Sequence, residues 1–240
     1  MKVYVYQRMG CMKGKKEMED RAVVCSNVLV TGYHCLENAP DGIYGVMDGV
    51  GGLQGSAFAS AFVARVLSEI PLPVNEENLH DTLARVHEDL VNFSNTATTA
   101  TGLTFSDGKM IVFHIGNTKL FGLYDGYIRP LTTDQTQYER LLRAGNAPST
   151  IDERAKCTLN ACLGVQKEFL DQLEIHDITR STAQSTKFML TSDGIHDHLT
   201  LDEMEAFLVE ASSESALVKL ADLAVKKGSE DDLTVMVIER

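Results

Sequence analysis

The residues of this chain that could do chemistry are carboxylates placed where apolar runs meet loops. Residues 43–47 form a short, largely apolar stretch of strand type that ends on Asp48, followed by Gly49, Val50, Gly51 and Gly52. A buried strand would therefore carry one acid to its own tip, and the glycines let the backbone turn tightly and approach a bound group. Taken alone, Asp-Gly after a strand is an ordinary turn. Three further acidic sites sit in the same kind of place. Asp193 and Gly194 follow the strand-like residues 187–191, Asp231 and Asp232 precede the apolar residues 233–238, and Glu19 and Asp20 precede the β-rich residues 21–30. Adjacent acids point to opposite faces of a pleat, so at most one of Glu19 and Asp20 can aim directly at a given ion; by themselves they read as solvated surface.

Acids at strand ends far apart in sequence can converge on one edge of a sheet assembly. Carboxylate and backbone oxygens without His or Cys select Mg²⁺ or Mn²⁺ over Zn²⁺. Carboxylates crowded around one point repel one another, so cations must balance them. One central Asp bridging two ions about 3.5–4 Å apart is the arrangement that activates water for in-line attack on phosphorus.

The elements that must position these acids follow from periodicity. Residues 54–70 place Phe58, Phe62, Val66 and Ile70 at intervals of four, a helix face expected to pack on the core and to stop at Pro71 and Pro73. Asn75 is a fitting cap for a second helix with Leu79, Leu83, Val86, Leu90 and Phe93 on its inner face. From Thr98 the period becomes two: residues 99–105, 110–115 and 119–124 are strands separated by Asp107-Gly108, Gly116-Asn117 and Asp125-Gly126, which predicts an antiparallel meander. Residues 135–144 read as helix, 146–157 as a mobile flap, 168–178 as strand, and 201–210 and 213–227 as helices.

Composition bounds the function. With 240 residues and no repeat or linker, residues 1–240 read as one domain. A net charge of −12 argues against a nucleic-acid binder. The five cysteines have no zinc or disulfide spacing and suit reduced thiols in a cytoplasmic protein; Cys157 and Cys162 read as packing residues. No apolar run is long enough to span or anchor in a membrane.

With these residues in view, the chain resembles the metal-dependent protein serine/threonine phosphatases, the protein phosphatase 2C or PPM family, in its compact bacterial form. The resemblance is carried in order by Glu17-Met18-Glu19-Asp20, by Tyr44 to Gly52 with Ala59-Ser60, by Thr98-Thr99-Ala100, and by Ile115 to Lys119 with Leu131-Thr132-Thr133-Asp134. It continues through Leu163-Gly164, Thr191 to Ile195 with Asp197, and Asp231 to Val235. It implies an α+β, four-layer α-β-β-α sandwich of two stacked antiparallel sheets flanked by helix pairs. It also implies hydrolysis of phosphoserine and phosphothreonine through a hydroxide bridging two Mn²⁺ or Mg²⁺ ions, with no covalent intermediate. Asp48 would bridge the ions, Asp193 and Asp231 would complete the first site, and the Gly49 carbonyl with Glu19 or Asp20 would hold the second. Lys15 stands where the family grips phosphate with Arg, a point charge in place of a fork. Val50 stands where eukaryotic members have a general-acid His. A third ion would fall to Asp197 and Asn95; Asn95 replaces the Asp of many bacterial members and is the poorer ligand.

His196 and His198, flanking Asp197, read as solvent-facing loop residues, and Asp232, where the family has Asn, reads as an acid standing just behind the ligands or exposed, in preference to a spare ligand. The implied partners are phosphorylated proteins and a cognate serine/threonine kinase system in signal transduction, with no nucleic acid or membrane, and the chain is expected to be a monomer. The intact acids favour an enzyme over a pseudophosphatase acting as a phosphoprotein- or kinase-binding module. The net charge and motif order disfavour a two-metal nuclease.

Overall fold

The structure, a computed structural model, describes residues 1–210 and 213–240. Two six-stranded antiparallel sheets dominate it. The first runs, edge to edge, Tyr127–Pro130, Lys119–Tyr124, Lys187–Thr191, Leu233–Glu239, Lys2–Arg8 and Gly32–Leu36. The second runs Glu174–Asp177, Lys109–Ile115, Ala100–Ser106, Gly42–Met47, Arg21–Val24 and Asn27–Leu29. The expected meander is present, but it is divided: Ala100–Ser106 and Lys109–Ile115 pair within the second sheet, while Lys119–Tyr124 crosses to the first.

Side-chain alternation shows why the sheets stack and why both carry helices. Val3, Val5, Phe188, Leu190, Met236 and Ile238 of the first sheet meet Tyr44, Val46, Leu103, Phe105 and Val112 of the second in one buried cluster. The intervening Tyr4, Met189, Val235 and Val237 point the other way, onto Met204 and Leu208 of helix Leu201–Glu210 and Leu217, Leu220 and Ala224 of helix Glu214–Lys226. Likewise Ile43, Met47, Ile111, Phe113 and Ile115 face helices Ser56–Ser68 and Glu76–Asn92. With a side-chain period of two and both faces covered, the central strands are apolar over most of their length, and Thr101, His114 and Thr234, polar side chains that they bury, are hydrogen-bonded. The result is the expected α-β-β-α sandwich.

Three local expectations are corrected. The helix face Phe58, Phe62, Val66, Ile70 is the flank of the core face of Ser56–Ser68 and not its centre: Phe62, Val66 and Ile70 are partly buried against the core, Phe58 is 49% exposed, and the buried residues are Ser56, Ala57, Ala59, Ser60, Val63, Ala64 and Leu67. Small residues let this helix lie close on the sheet, whereas the larger aromatics stack along its flank, Phe58 on Phe62 and edge-on to Phe93. Phe93 is accordingly exposed, although Leu79, Leu83, Val86 and Leu90 are buried as expected. Finally, 168–178 is not one strand but a 3-10 segment, Lys167–Gln172, followed by the short edge strand Glu174–Asp177. The 146–157 segment carries two 3-10 turns, Pro148–Thr150 and Glu153–Lys156.

Phe113, fully buried between the second sheet and its helices, should be the costliest single truncation outside the acidic region. Phe113→Ala is expected to lower unfolding free energy by about 3–5 kcal/mol in urea titrations followed by circular dichroism, and a loss below about 1 kcal/mol would show that this layer does not close as described.

Candidate functional site

The strand Gly42–Met47 ends at Asp48, and that end is held by main chain and threonine hydroxyls. The Asp48 N–H donates to Thr99 Oγ1 at 3.0 Å, and its carbonyl accepts from Thr99 N–H and Thr98 Oγ1, both at 2.8 Å. The three hydrogen bonds its backbone can make are thus all formed, so the main chain at the strand tip is fixed without using the carboxylate. Gly49 donates its N–H to the Glu19 carbonyl at 3.2 Å, and a Cβ there would lie 2.6 Å from the Ser56 carbonyl oxygen, so only glycine fits. The first turn of helix Ser56–Ser68 also serves Glu19: Ser56 Oγ donates to its Oε1, and Ser60 Oγ to its carbonyl at 2.5 Å.

The other acids arrive from the first sheet. Asp193 starts the one-turn helix Asp193–His196 at the end of strand Lys187–Thr191 and accepts from Asn117 Nδ2 at 3.0 Å. A Cβ on Gly194 would lie 2.1 Å from the Asp232 carbonyl oxygen, so this glycine is what lets the Asp193 turn reach the 231–232 segment. Asp20, 0% exposed, accepts from Thr234 Oγ1 at 2.7 Å, while its Oδ1 has no hydrogen-bond partner among the described residues.

Electrostatics record how close these groups are. Asp48 is pushed well above the usual carboxylate range by burial and then by the charges of Asp20, Asp193 and Asp231. Asp20 is pushed up to about 7 by burial and Asp232, with Thr234 and Ser192 opposing. Asp193 is raised by burial and Asp231. Beside them, Asp197 is pushed up to about 7, first by the protein packed around it and then by Asp193, with Lys119 opposing; its side chain remains 36% exposed, so solvent damps the effect.

Lys15, Glu19, Asp20, Asp48, Gly49, Asp193 and Asp231 are therefore neighbours, and Asp197 adjoins them. Asn95 is exposed, in a left-handed turn with its carbonyl accepting from Gly55 N–H, and among the described residues its side chain hydrogen-bonds to nothing. Two other expectations change. His196 is buried, with Nδ1 bonded to Thr191 Oγ1 at 2.8 Å and the ring held neutral by its burial. Cys157 is exposed where Cys162 is not. Asp232, buried and bonded to the main chain of Glu19 and Asp20, takes one of the two places expected of it, just behind these acids. The roles of Thr98, Thr99, Asn117 and Thr234 escape reading by chemistry; a paired Thr-Thr beginning a strand was their only local signal.

Among the described residues no three His, Cys, Asp or Glu side chains already share a point suited to an ion. The donors nonetheless fit a hard divalent cation: they are oxygens, they raise one another's pKa, a buried Asp20 oxygen lacks a partner, and the ammonium of Lys15 already stands among them as a cation. Past Asp197 a cleft of about 640 Å³ opens between Tyr138, Arg154 and Lys156 on one side and His198 on the other.

No family model matches the chain. It is 26% identical over 216 residues to the serine/threonine phosphatase stp of Listeria monocytogenes, covering 81% of this chain and 83% of that protein. It is 27% identical over 260 residues to probable protein phosphatase 2C 2 of Arabidopsis thaliana, covering 95% of this chain and 66% of the relative. The serine/threonine phosphatase Stp1 from Staphylococcus aureus superposes with a TM-score of 0.79 at 17% identity, covering 99% and 94% of the two chains, a likeness of fold.

Raised carboxylate pKa values make a signed prediction. Between pH 4 and 7 the folded, metal-free chain keeps a proton on Asp20 that the unfolded chain has released, so this stability is whole below about 4 and lost as pH rises through about 7. In EDTA, Tm should fall from pH 5 to pH 8, and Asp20→Asn should flatten part of that slope; a Tm that climbs steadily with pH would contradict the acidic cluster.

Proposed function

This chain belongs to the metal-dependent protein serine/threonine phosphatases, the PPM or protein phosphatase 2C family, and from that premise we propose that it hydrolyses phosphoserine and phosphothreonine in proteins at the carboxylates around Asp48. The observation that carries this reading is the crowding of Asp20, Asp193 and Asp231 on Asp48, an arrangement that is satisfied by cations. Two divalent ions, when bound, supply the Lewis acidity that activates water and the positive charge that draws in a phosphate.

The chain's own residues have distinct tasks in this reading. Asp48, placed by Thr98 and Thr99, would be the central residue holding the ions. Asp193, oriented by Asn117, and Asp231 would complete one site; the Gly49 carbonyl with Glu19 or Asp20 would hold the other. Asp20, tied to Thr234, would also orient the attacking water toward phosphorus. A weaker third site would use Asp197, with Asn95 beyond it. Lys15 would meet the phosphate. Val50 offers no proton to the departing serine or threonine oxygen. The cleft beside Asp197, with Arg154 and Lys156 on its wall, offers a path for the polypeptide that carries the phosphate.

We take residues 1–240 as one catalytic domain, acting as a cytosolic monomer opposite a serine/threonine kinase. Its cysteines, all free, suit a reducing compartment, and among the described residues no helix is long and apolar enough to cross a membrane.

Asp48→Ala is expected to reduce turnover of an aryl phosphate and of a phosphothreonine peptide in Mn²⁺ buffer by at least about a thousandfold. Undiminished turnover would refute the role given to Asp48. A wild-type chain that binds a phosphopeptide without turning it over would instead mark a binding module.

A further inference from the structure

Lys15 is a buried cation, and its ammonium is turned in among the acids. Its side chain is 6% exposed, and its Nζ lies 2.9 Å from Asp231 Oδ1, 3.0 Å from Glu19 Oε2 and 3.1 Å from Asp232 Oδ2. Lys13 and Lys16, in the same loop, are exposed. The ammonium donates a hydrogen bond to Asp231 Oδ1, and Glu19 and Asp232 stand within ion-pair distance of it. Burial works against its charge, but Asp231, Glu19 and Asp232 together outweigh that and raise its pKa.

Asp232 has a second job. Its Oδ1 accepts from Gly10 N–H at 2.8 Å, and its Oδ2 accepts from Glu19 N–H at 2.5 Å and Asp20 N–H at 3.3 Å. One 2%-exposed carboxylate therefore fixes the main chain beneath Glu19 and Asp20 while it also faces the Lys15 ammonium. Replacing it with a neutral group would remove both the charge and one acceptor oxygen.

We propose that Lys15 and Asp232 form a built-in cation lock: without metal, the tethered ammonium neutralises Glu19 and Asp231, and divalent ions enter by displacing it outward. Asp232 is a positioning residue that seats the ammonium and keeps Glu19 and Asp20 in place during the exchange. The inference rests on the reading of these acids as metal ligands. Its consequence is a moderated affinity for metal, since an ion must displace a cation that cannot diffuse away. The displaced ammonium becomes free to meet a phosphate at the moment the ions are seated, so metal loading and phosphate binding are coupled through one side chain.

The test is a lysine footprint on the whole chain together with metal titration. In EDTA, acetylation by an N-hydroxysuccinimide ester, read by mass spectrometry, should spare Lys15 relative to Lys13 and Lys16; with saturating Mg²⁺, Lys15 should become labelled while Lys13 and Lys16 do not change. Calorimetric titration should show Lys15→Met binding Mn²⁺ about tenfold more tightly than wild type, with a lower Tm in EDTA, whereas Lys15→Arg, which keeps the charge, stays near wild type. Asp232→Asn should expose Lys15 to the reagent even without metal. Lys15 labelling at the rate of its neighbours in EDTA, or equal Mn²⁺ affinity in wild type and Lys15→Met, overturns the lock and leaves the ligand assignment standing. If wild type and Lys15→Met both fail to bind Mn²⁺, the ligand assignment falls and the lock falls with it.

Discussion

Mutual repulsion among carboxylates gathered at one edge of two stacked sheets is the constraint around which this molecule is built. Asp20, Asp48 and Asp193 are each held in a setting that disfavours their charge, and each makes the setting worse for another. A fold would ordinarily not retain such a group of acids, because partnerless buried charge costs several kcal/mol even after relaxation. The arrangement is eased by a proton kept on an acid such as Asp20 or by a cation, and the chain supplies one cation itself in Lys15. What surrounds the acids consists largely of devices for holding them in spite of themselves: threonine hydroxyls on the Asp48 main chain, an amide on Asp193, a hydroxyl on Asp20, and two serines on Glu19.

The sandwich supplies rigidity at the scale this requires. Acids from different sheets can be placed to within a fraction of an ångström only if the sheets cannot slide, and interleaved side chains between Phe188, Met236, Leu103 and Tyr44 prevent that. The helices on either side perform a different task. Helix Ser56–Ser68 brings a serine-bearing first turn onto Glu19, and it can do so because the residues beneath it are small.

Much of this was legible in the sequence, for a physical reason: an acid at the end of an apolar run is a local pattern, and the end of a strand is a local event. The two-residue period of the strands and the Asn75-capped helix were readable in the same way, and the cap is formed with Asn78 as its reciprocal partner. What failed was inference from bulk. Phe58 reads as part of a core stripe because aromatics usually are, yet a helix that lies close to a sheet puts alanine inward, leaving Phe62 partly buried at the edge of the core and Phe58 outside it. The contacts of Asp232 and Lys15 are not legible, for another cause. Their contacts join segments 216 positions apart, and no window of sequence holds both. His196 was misjudged because its partner, Thr191, lies across a turn whose one-turn helix was not foreseen.

The strand Leu233–Glu239 lies beside Lys2–Arg8 in the middle of the first sheet, and Thr234 reaches Asp20 across 214 positions of chain. A growing polypeptide therefore cannot finish its acidic centre until this late strand has left the ribosome, even though every residue of the second sheet is already available. Translation order by itself separates folding of that sheet from the onset of activity, and a nascent chain with most of its architecture in place would still be chemically silent.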